Sequence, residues 1–350
     1  MNIKINVFLL SILISEIALF SGWCANEQPS KLDTQNDIRT GRRLSLREAK
    51  ALESLVKTNA EDLSARTKLL GYYFGRSQSA QDNEARQKHV LWIIKNRPES
   101  EIAGLPYCGA DAILDKDSYE QGKKLWLEQT KANPKNATIF GHAAKFVLTY
   151  DTQLAEELLK QGQKIDPGKI EFSEQLGRLY GLQTGKDAAL KSLAEYEKAQ
   201  EADPSETSRF YRLDSLAKAA YKVGAFEKAS RYANELLDSA SKYPQDWNYG
   251  NAIHHGNNVL GRIALTQGDI PKAKDYLLKA GKTSDSPQLA SFGPNMSLAK
   301  DLLEKGEKDI VVQYLELCRN FWSMGKANLD EWIKQIKAGE TPNFGPNLIY

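Results

Sequence analysis

Cysteine is nearly missing from this chain: three residues in 350, Cys24, Cys108 and Cys318, with no CxxC pair. The four histidines, His89, His142, His254 and His255, form no HExxH pattern, so no group has the ligand spacing of a zinc site, and no metal or cofactor is expected. Charge of one sign is also lacking. Against 45 acidic residues stand 47 basic ones, a formal +2 that is unchanged without the first 25 residues, which excludes the basic footprint of a nucleic-acid binder. Proline is limited to 12 residues, while 41% of the chain is hydrophobic and 26% charged. That balance excludes disorder and supplies a large core.

Long apolar runs are missing too, except at the start. Lys4 precedes an apolar stretch from Ile5 to Phe20, broken by Ser11, Ser15 and Glu16, and then comes Ser21-Gly-Trp-Cys-Ala25. A cation, an apolar segment and small residues in that order read as a secretory signal over residues 1–25, cut after Ser21, Cys24 or Ala25. Glu16 is costly inside such a segment. An uncleaved signal-anchor is one alternative, and a lipid-modified Cys24 is another, opposed by the bulk of Trp23. The expected location is therefore outside the cytoplasm, periplasmic or secreted, with no membrane span once the leader is removed.

What the chain has is rhythm. Pro98, Pro134, Pro167, Pro204, Pro244 and Pro287 each follow a polar residue or an amphipathic stretch, at intervals of 36, 33, 37, 40 and 43 residues. A proline disfavours helix in the residue before it and cannot extend the ladder, so each is expected to end a helix. Punctuation at this period indicates stacked repeats. The clearest unit runs from Leu260 to Ala280: Leu260, Gly261 and Ala264 share one face of a first helix, Gly268 and Asp269 make a turn, and Ala273, Leu277 and Ala280 line a second helix.

This pattern resembles the tetratricopeptide repeat, and it recurs. Leu216-Ala217, Gly224, Phe226 and Ala229 repeat it upstream; Leu298-Ala299, Leu302, Gly306 and Leu315 repeat it downstream. Leu176-Gly177 with Tyr180, Tyr196 and Ala199, the segment from Asn136 to Pro167, and Leu70-Gly71 with Phe74 and Trp92 extend it toward the start. Between Ala103 and Pro134 the first helix is degenerate, interrupted by Pro106 and Gly109, and the register over 99–117 is open. The resemblance implies an all-α fold: a right-handed superhelical solenoid of about seven antiparallel hairpins over residues 44–325, with a concave side lined by the first helices. Residues 26–43 read as a polar linker, and 326–350 as a capping helix and an apolar tail. That tail folds back over the end of the array or docks in a neighbour's groove. It repeats the tetrapeptide Phe-Gly-Pro-Asn of Phe292 to Asn295 at Phe344 to Asn347. Cys108 and Cys318 lie five or six repeats apart, too far in a solenoid for a disulfide, and are expected to be free, buried thiols.

Arg178, Lys218, Arg262 and Lys300 each follow the small residue of a first helix in four consecutive units. In tetratricopeptide folds that place faces the groove, so the resemblance implies a ladder of cations facing a ligand. Glu174, Asp214 and Glu304 stand four residues from three of them, so ordinary i,i+4 pairs are the competing reading. Arg262 lacks such a partner, and His255 and Asn258 precede it on the same helical face, together offering donors to a carboxylate or a peptide backbone. Trp247 and Tyr249 lie in a polar, aromatic stretch suited to peptide or sugar contact, or to a packed inter-repeat anchor. Asp246 with His254, and Asp111 with Asp115, are the acid–base pairs an enzyme would need, without a recognisable setting. The resulting expectation is a non-catalytic scaffold that binds another protein or peptide, one that is acidic or ends in a carboxylate, with no nucleic-acid role. A glycan-binding surface module and a helical-hairpin hydrolase using two carboxylates are the alternatives.

Overall fold

A computed structural model describes residues 29–76, 79–284 and 286–348. The secretory signal expected over residues 1–25, with Cys24, lies outside them. Among the described residues there are seventeen α-helices and no strand, and none of these helices is long and apolar enough to cross a membrane. The chain divides into two compact units, one through Phe172 and one from Ser173 onward.

The first unit holds α1 (Pro29–Arg43), α2 (Leu46–Thr58), α3 (Leu63–Phe74), α4 (Ala80–Asn96), α5 (Lys116–Ala132), α6 (Ala137–Val147) and α7 (Thr152–Ile165). Its helix starts are written locally. Ser45 and Glu48 form a reciprocal capping box, and Asp62, Ser79, Asp115, Asn136 and Asp151 each accept a backbone N–H in the first turn of the helix they open. In place of the degenerate first helix stand two 3-10 turns, Glu101–Gly104 and Pro106–Cys108, because Pro106 has no N–H to give an α ladder. Buried Arg86 ties this segment down by donating to the carbonyls of Tyr107 and Gly109 at 2.9 and 2.8 Å.

The polar linker expected over 26–43 is corrected: from Pro29 it is helix α1, packed on α3. Glycine makes that approach possible. A Cβ on Gly41 would lie 2.0 Å from the carbonyl oxygen of Lys68, and one on Gly71 would lie 2.5 Å from that of Ile38. Both neighbours are backbone and cannot swing aside. Ile38 is fully buried there, and Lys68 pairs with Asp37 at 3.3 Å. Gly71→Ala is therefore expected to push α1 off α3 and lower the stability of this unit by about 1–3 kcal/mol, the usual cost of overpacking. Urea unfolding of wild type and variant measures it, and equal midpoints would contradict the close contact.

The second unit holds the remainder of α8 (Ile170–Gly181), then α9 (Lys186–Ala202), α10 (Glu206–Lys222), α11 (Phe226–Lys242), α12 (Tyr249–Thr266), α13 (Ile270–Gly281), α14 (Pro287–Phe292), α15 (Ser297–Glu304), α16 (Lys308–Cys318) and α17 (Lys326–Lys337). Consecutive helices pair. The turns of three hairpins share a left-handed glycine, Gly224, Gly268 and Gly306, with φ of 82°, 84° and 84°, a conformation that lets the chain reverse within a few residues. Five of the six punctuating prolines follow a helix C-cap as expected. Pro287 does not: it is the first residue of α14, capped by Ser286, because proline's missing N–H costs nothing at a helix start.

Counted with the 3-10 segment and α5 as one pair, the hairpins α3/α4, α6/α7, α8/α9, α10/α11, α12/α13 and α15/α16 make the seven expected repeats, followed by α17 as the last helix. Cys108 and Cys318 are free and buried, and burial pushes the Cys108 thiol up to about 12, so it is an inert packing group.

Candidate functional site

In the second unit the first helices carry the same burial register. At 176–180, 216–220 and 260–264 the order is two buried residues, one half-open residue and two buried residues, and the half-open positions are Arg178, Lys218 and Arg262. The side chains of this column emerge between core positions on either side. Leu216, Ala217, Ala219 and Ala220 of α10 are all buried beneath Lys218. Lys300 holds the matching place on α15, with Leu298 and Ala299 buried before it.

These cations are compensated. Lys218 Nζ lies 2.9 Å from Asp214 and Lys300 Nζ 3.0 Å from Glu304, the local pairs that the spacing offers. Arg262 finds its carboxylate outside its own hairpin: Nε donates to Asp301 at 2.8 Å, and the guanidinium sits 4.6 Å from the Tyr221 ring centroid. Glu174, four residues before Arg178, is engaged by Arg212 at 3.0 Å.

Lys222 is the residue that sequence reasoning missed. One turn beyond Lys218 on α10, its Nζ donates to the Gly181 carbonyl at 2.6 Å, and among the described residues no carboxylate pairs with it. Desolvation, and then the charges of Lys218 and Arg262, hold its ammonium below the usual lysine range. Three cations from two adjacent hairpins thus share one spot with two carboxylates, Asp214 and Asp301. The i,i+4 spacing of Lys218 and Lys222 was the available signal.

The predicted trio on α12 is corrected. His255 and Asn258 are 4% and 5% exposed and do not stand open beside Arg262. The reason is that α12 is buried nearly all round, His255 and Asn258 included, and the loop between α14 and α15 reaches it at His254. His254 organises that interior. The Asn295 backbone N–H can only donate, so Nε2 of His254 accepts it at 3.0 Å, together with the Asn258 amide at 3.1 Å. The proton is therefore on Nδ1, which donates to Ala280 O at 3.1 Å. Desolvation lowers the His254 pKa to about 4 and takes His255 well below the ordinary histidine value.

Trp247 is half-buried, stacked on Tyr211 with ring centroids 5.6 Å apart, and Tyr249 packs at the edge of the core of this unit. Asp246 accepts the Tyr211 hydroxyl at 2.7 Å and the Asn248 N–H, and so is not directed at His254. Asp111 closes a turn on Ile113 and Leu114, while Asp115 caps α5 and holds Asn83. The carboxylates of both pairs thus serve turns and a cap, and His254 serves the interior of α12. Among the described residues no group of His, Cys, Asp and Glu has the arrangement of a metal site.

No family profile matches this sequence, and no curated protein does. Solved structures do. A tetratricopeptide repeat protein from Parabacteroides merdae aligns over 87% of this chain and 99% of its own, at 14% identity and a TM-score of 0.43. Yeast Tom70 aligns over 96% of this chain and 72% of its own, at 14% identity and a TM-score of 0.50. The paired helices and the likeness to Tom70 together show that this chain has a tetratricopeptide-like helical-repeat fold.

Proposed function

We propose that this protein is a non-catalytic scaffold acting outside the cytoplasm, and that it binds a polypeptide segment along the first helices of its second unit. An acidic side chain or a terminal carboxylate of the ligand meets Lys218, Lys222 and Arg262, flanked by Arg178 and Lys300. The fold supports protein binding in general, because a stack of hairpins offers repeated, evenly spaced side chains. The observation that carries the finer reading is Lys222, a lysine bonded to a carbonyl alone and pressed by two other cations. An incoming anion relieves that repulsion, whereas the paired cations of the column must share an anion with the carboxylates they already hold.

Peptide-display selection on the protein, followed by affinity measurement across salt concentrations, tests this. Selected sequences are expected to carry carboxylates, and Lys222→Gln is expected to weaken them by about fivefold, the order of one half-exposed ion pair. Affinity falls as salt rises. Selection of the same sequences by a Lys218→Gln, Lys222→Gln, Arg262→Gln variant, or affinities flat with salt, would remove the charge-based reading.

A further inference from the structure

The repeated tetrapeptide meets itself. Residues 344–347 return to the loop that carries Phe292 to Asn295. There the Asn347 side-chain amide donates to the carbonyls of Phe292 and Pro294, both at 2.9 Å, while the Asn347 carbonyl accepts Met296 N–H at 2.8 Å. Phe344 is 1% exposed, its ring edge-on to Trp332 with centroids 5.0 Å apart, and Trp332 in turn lies against Trp322. The stem that precedes this strap, residues 337–341, is exposed throughout.

The seat has support of its own. Asn295 N–H is held by His254, Asn295 Oδ1 accepts Ser297 N–H at 2.9 Å, and the Tyr314 hydroxyl reaches Asn295 O at 3.4 Å. Gly293, at φ 84°, lies so close on Trp322 that a Cβ would come within 2.3 Å of the indole. These ties fix the direction of the Phe292 and Pro294 carbonyls without using the strap. An aromatic socket, two convergent carbonyls and one free-standing N–H recognise a peptide by one anchor side chain, one amide and one main-chain bond.

We infer that the loop Phe292–Met296 with the Trp322 and Trp332 wall is a second peptide-binding site, specific for a Phe-Gly-Pro-Asn segment. In this chain its own residues 344–347 fill it, and the same segment of a second copy fills it when they are withdrawn. Every copy carries this ligand, so the chemistry of the partner is already written in the sequence. A five-residue stem reaches at most about 18 Å, which gives the intramolecular strap an effective concentration in the millimolar range. Exchange between copies therefore needs the stem to be cut or shortened.

Two experiments test the inference. In the first, a protease site is inserted between Gly339 and Glu340 of the full chain, the folded protein is nicked, and a fluorescent peptide of residues 340–350 is added. The peptide is expected to enter saturably, with wild-type peptide competing and an Asn347→Ala peptide roughly tenfold weaker, as loss of two hydrogen bonds implies. A nicked protein that never takes up the peptide would overturn the site. In the second, Gly339 to Thr341 are deleted from the intact chain. Light scattering should then report a dimer, and adding Asn347→Ala to the deletion should return a monomer. A monomeric deletion chain, or a dimer indifferent to Asn347, would overturn the exchange with a second copy.

Discussion

Arg212→Ala is expected to lower the stability of the second unit by about 2–3 kcal/mol, the cost of removing a buried guanidinium and its charge-assisted hydrogen bonds to a partly exposed carboxylate and two other acceptors. The Arg212 side chain is 2% exposed. Its Nε donates to Glu174 at 3.0 Å, and one terminal nitrogen donates to the Gln200 side chain at 2.9 Å and to the Asp203 carbonyl at 3.1 Å. A single guanidinium on α10 thereby fastens α8 and the end of α9, the joint between two successive hairpins. A lysine keeps the charge but has no planar fork, so Arg212→Lys is expected to recover only part of the loss. Urea unfolding followed by circular dichroism reads both. A loss below about 1 kcal/mol for the alanine variant would place Arg212 among ordinary surface cations.

Acid is expected to destabilise the protein well above the pH at which most carboxylates titrate. His254, and His142 in the first unit, have pKa values lowered to about 4, in both cases chiefly by burial. Their folded values lie below the unfolded value near 6.5, so between pH 6.5 and 4 the unfolded chain binds protons that the folded chain refuses. Stability from these groups is complete above about pH 6.5 and is lost as pH falls toward 4. Each such histidine costs about 1.4 kcal/mol per pH unit in that window, or roughly 3 kcal/mol across it. His255, also held well below the ordinary histidine value by burial, adds to the same slope in the second unit. Unfolding free energies at pH 7, 6 and 5 measure the effect. His254→Gln, whose side-chain oxygen accepts the Asn295 N–H without titrating, should reduce the slope by about one proton. A free energy flat between pH 7 and pH 5 would contradict the buried neutral imidazoles.

The repeat architecture was legible because its signals are local. Prolines after C-caps, acidic and hydroxyl caps, and glycine turns are fixed by a few neighbouring residues, and they marked the hairpins without reference to tertiary structure. The segment around Pro106 was legible for the same reason: a missing N–H cannot be replaced, and 3-10 turns resulted. Helix α1 was not legible. It buries little apolar surface, Ile38 being its one fully buried hydrophobic among the residues whose burial is described, and it is held by glycine contacts with α3, which has no signature in its own sequence.

The site divides in the same way. The cation column was visible as a repeated position, and the pairs of Lys218 with Asp214 and Lys300 with Glu304 were visible as spacing. Asp301 reaches Arg262 across 39 residues and gave no sequence signal. His255 and Asn258 looked available because a helical wheel shows which residues share a face and not what covers it. Asn258 turns inward to bond His254, which the loop at Asn295, about 40 residues downstream, holds in place. Lys222 was overlooked because a column of one position per hairpin hides a second cation one turn away.

In the proposed complex the ligand lies on α10 and α12 at Lys218, Lys222 and Arg262. Hydrogen–deuterium exchange with and without a display-selected peptide tests it most directly, because it reports the bound surface without altering a residue. New protection is expected in the segments covering 214–222 and 258–266, reduced at high salt, with the segment 243–249 unchanged. Protection centred on Trp247 and Tyr249, or protection in 214–222 and 258–266 that salt leaves intact, would contradict it.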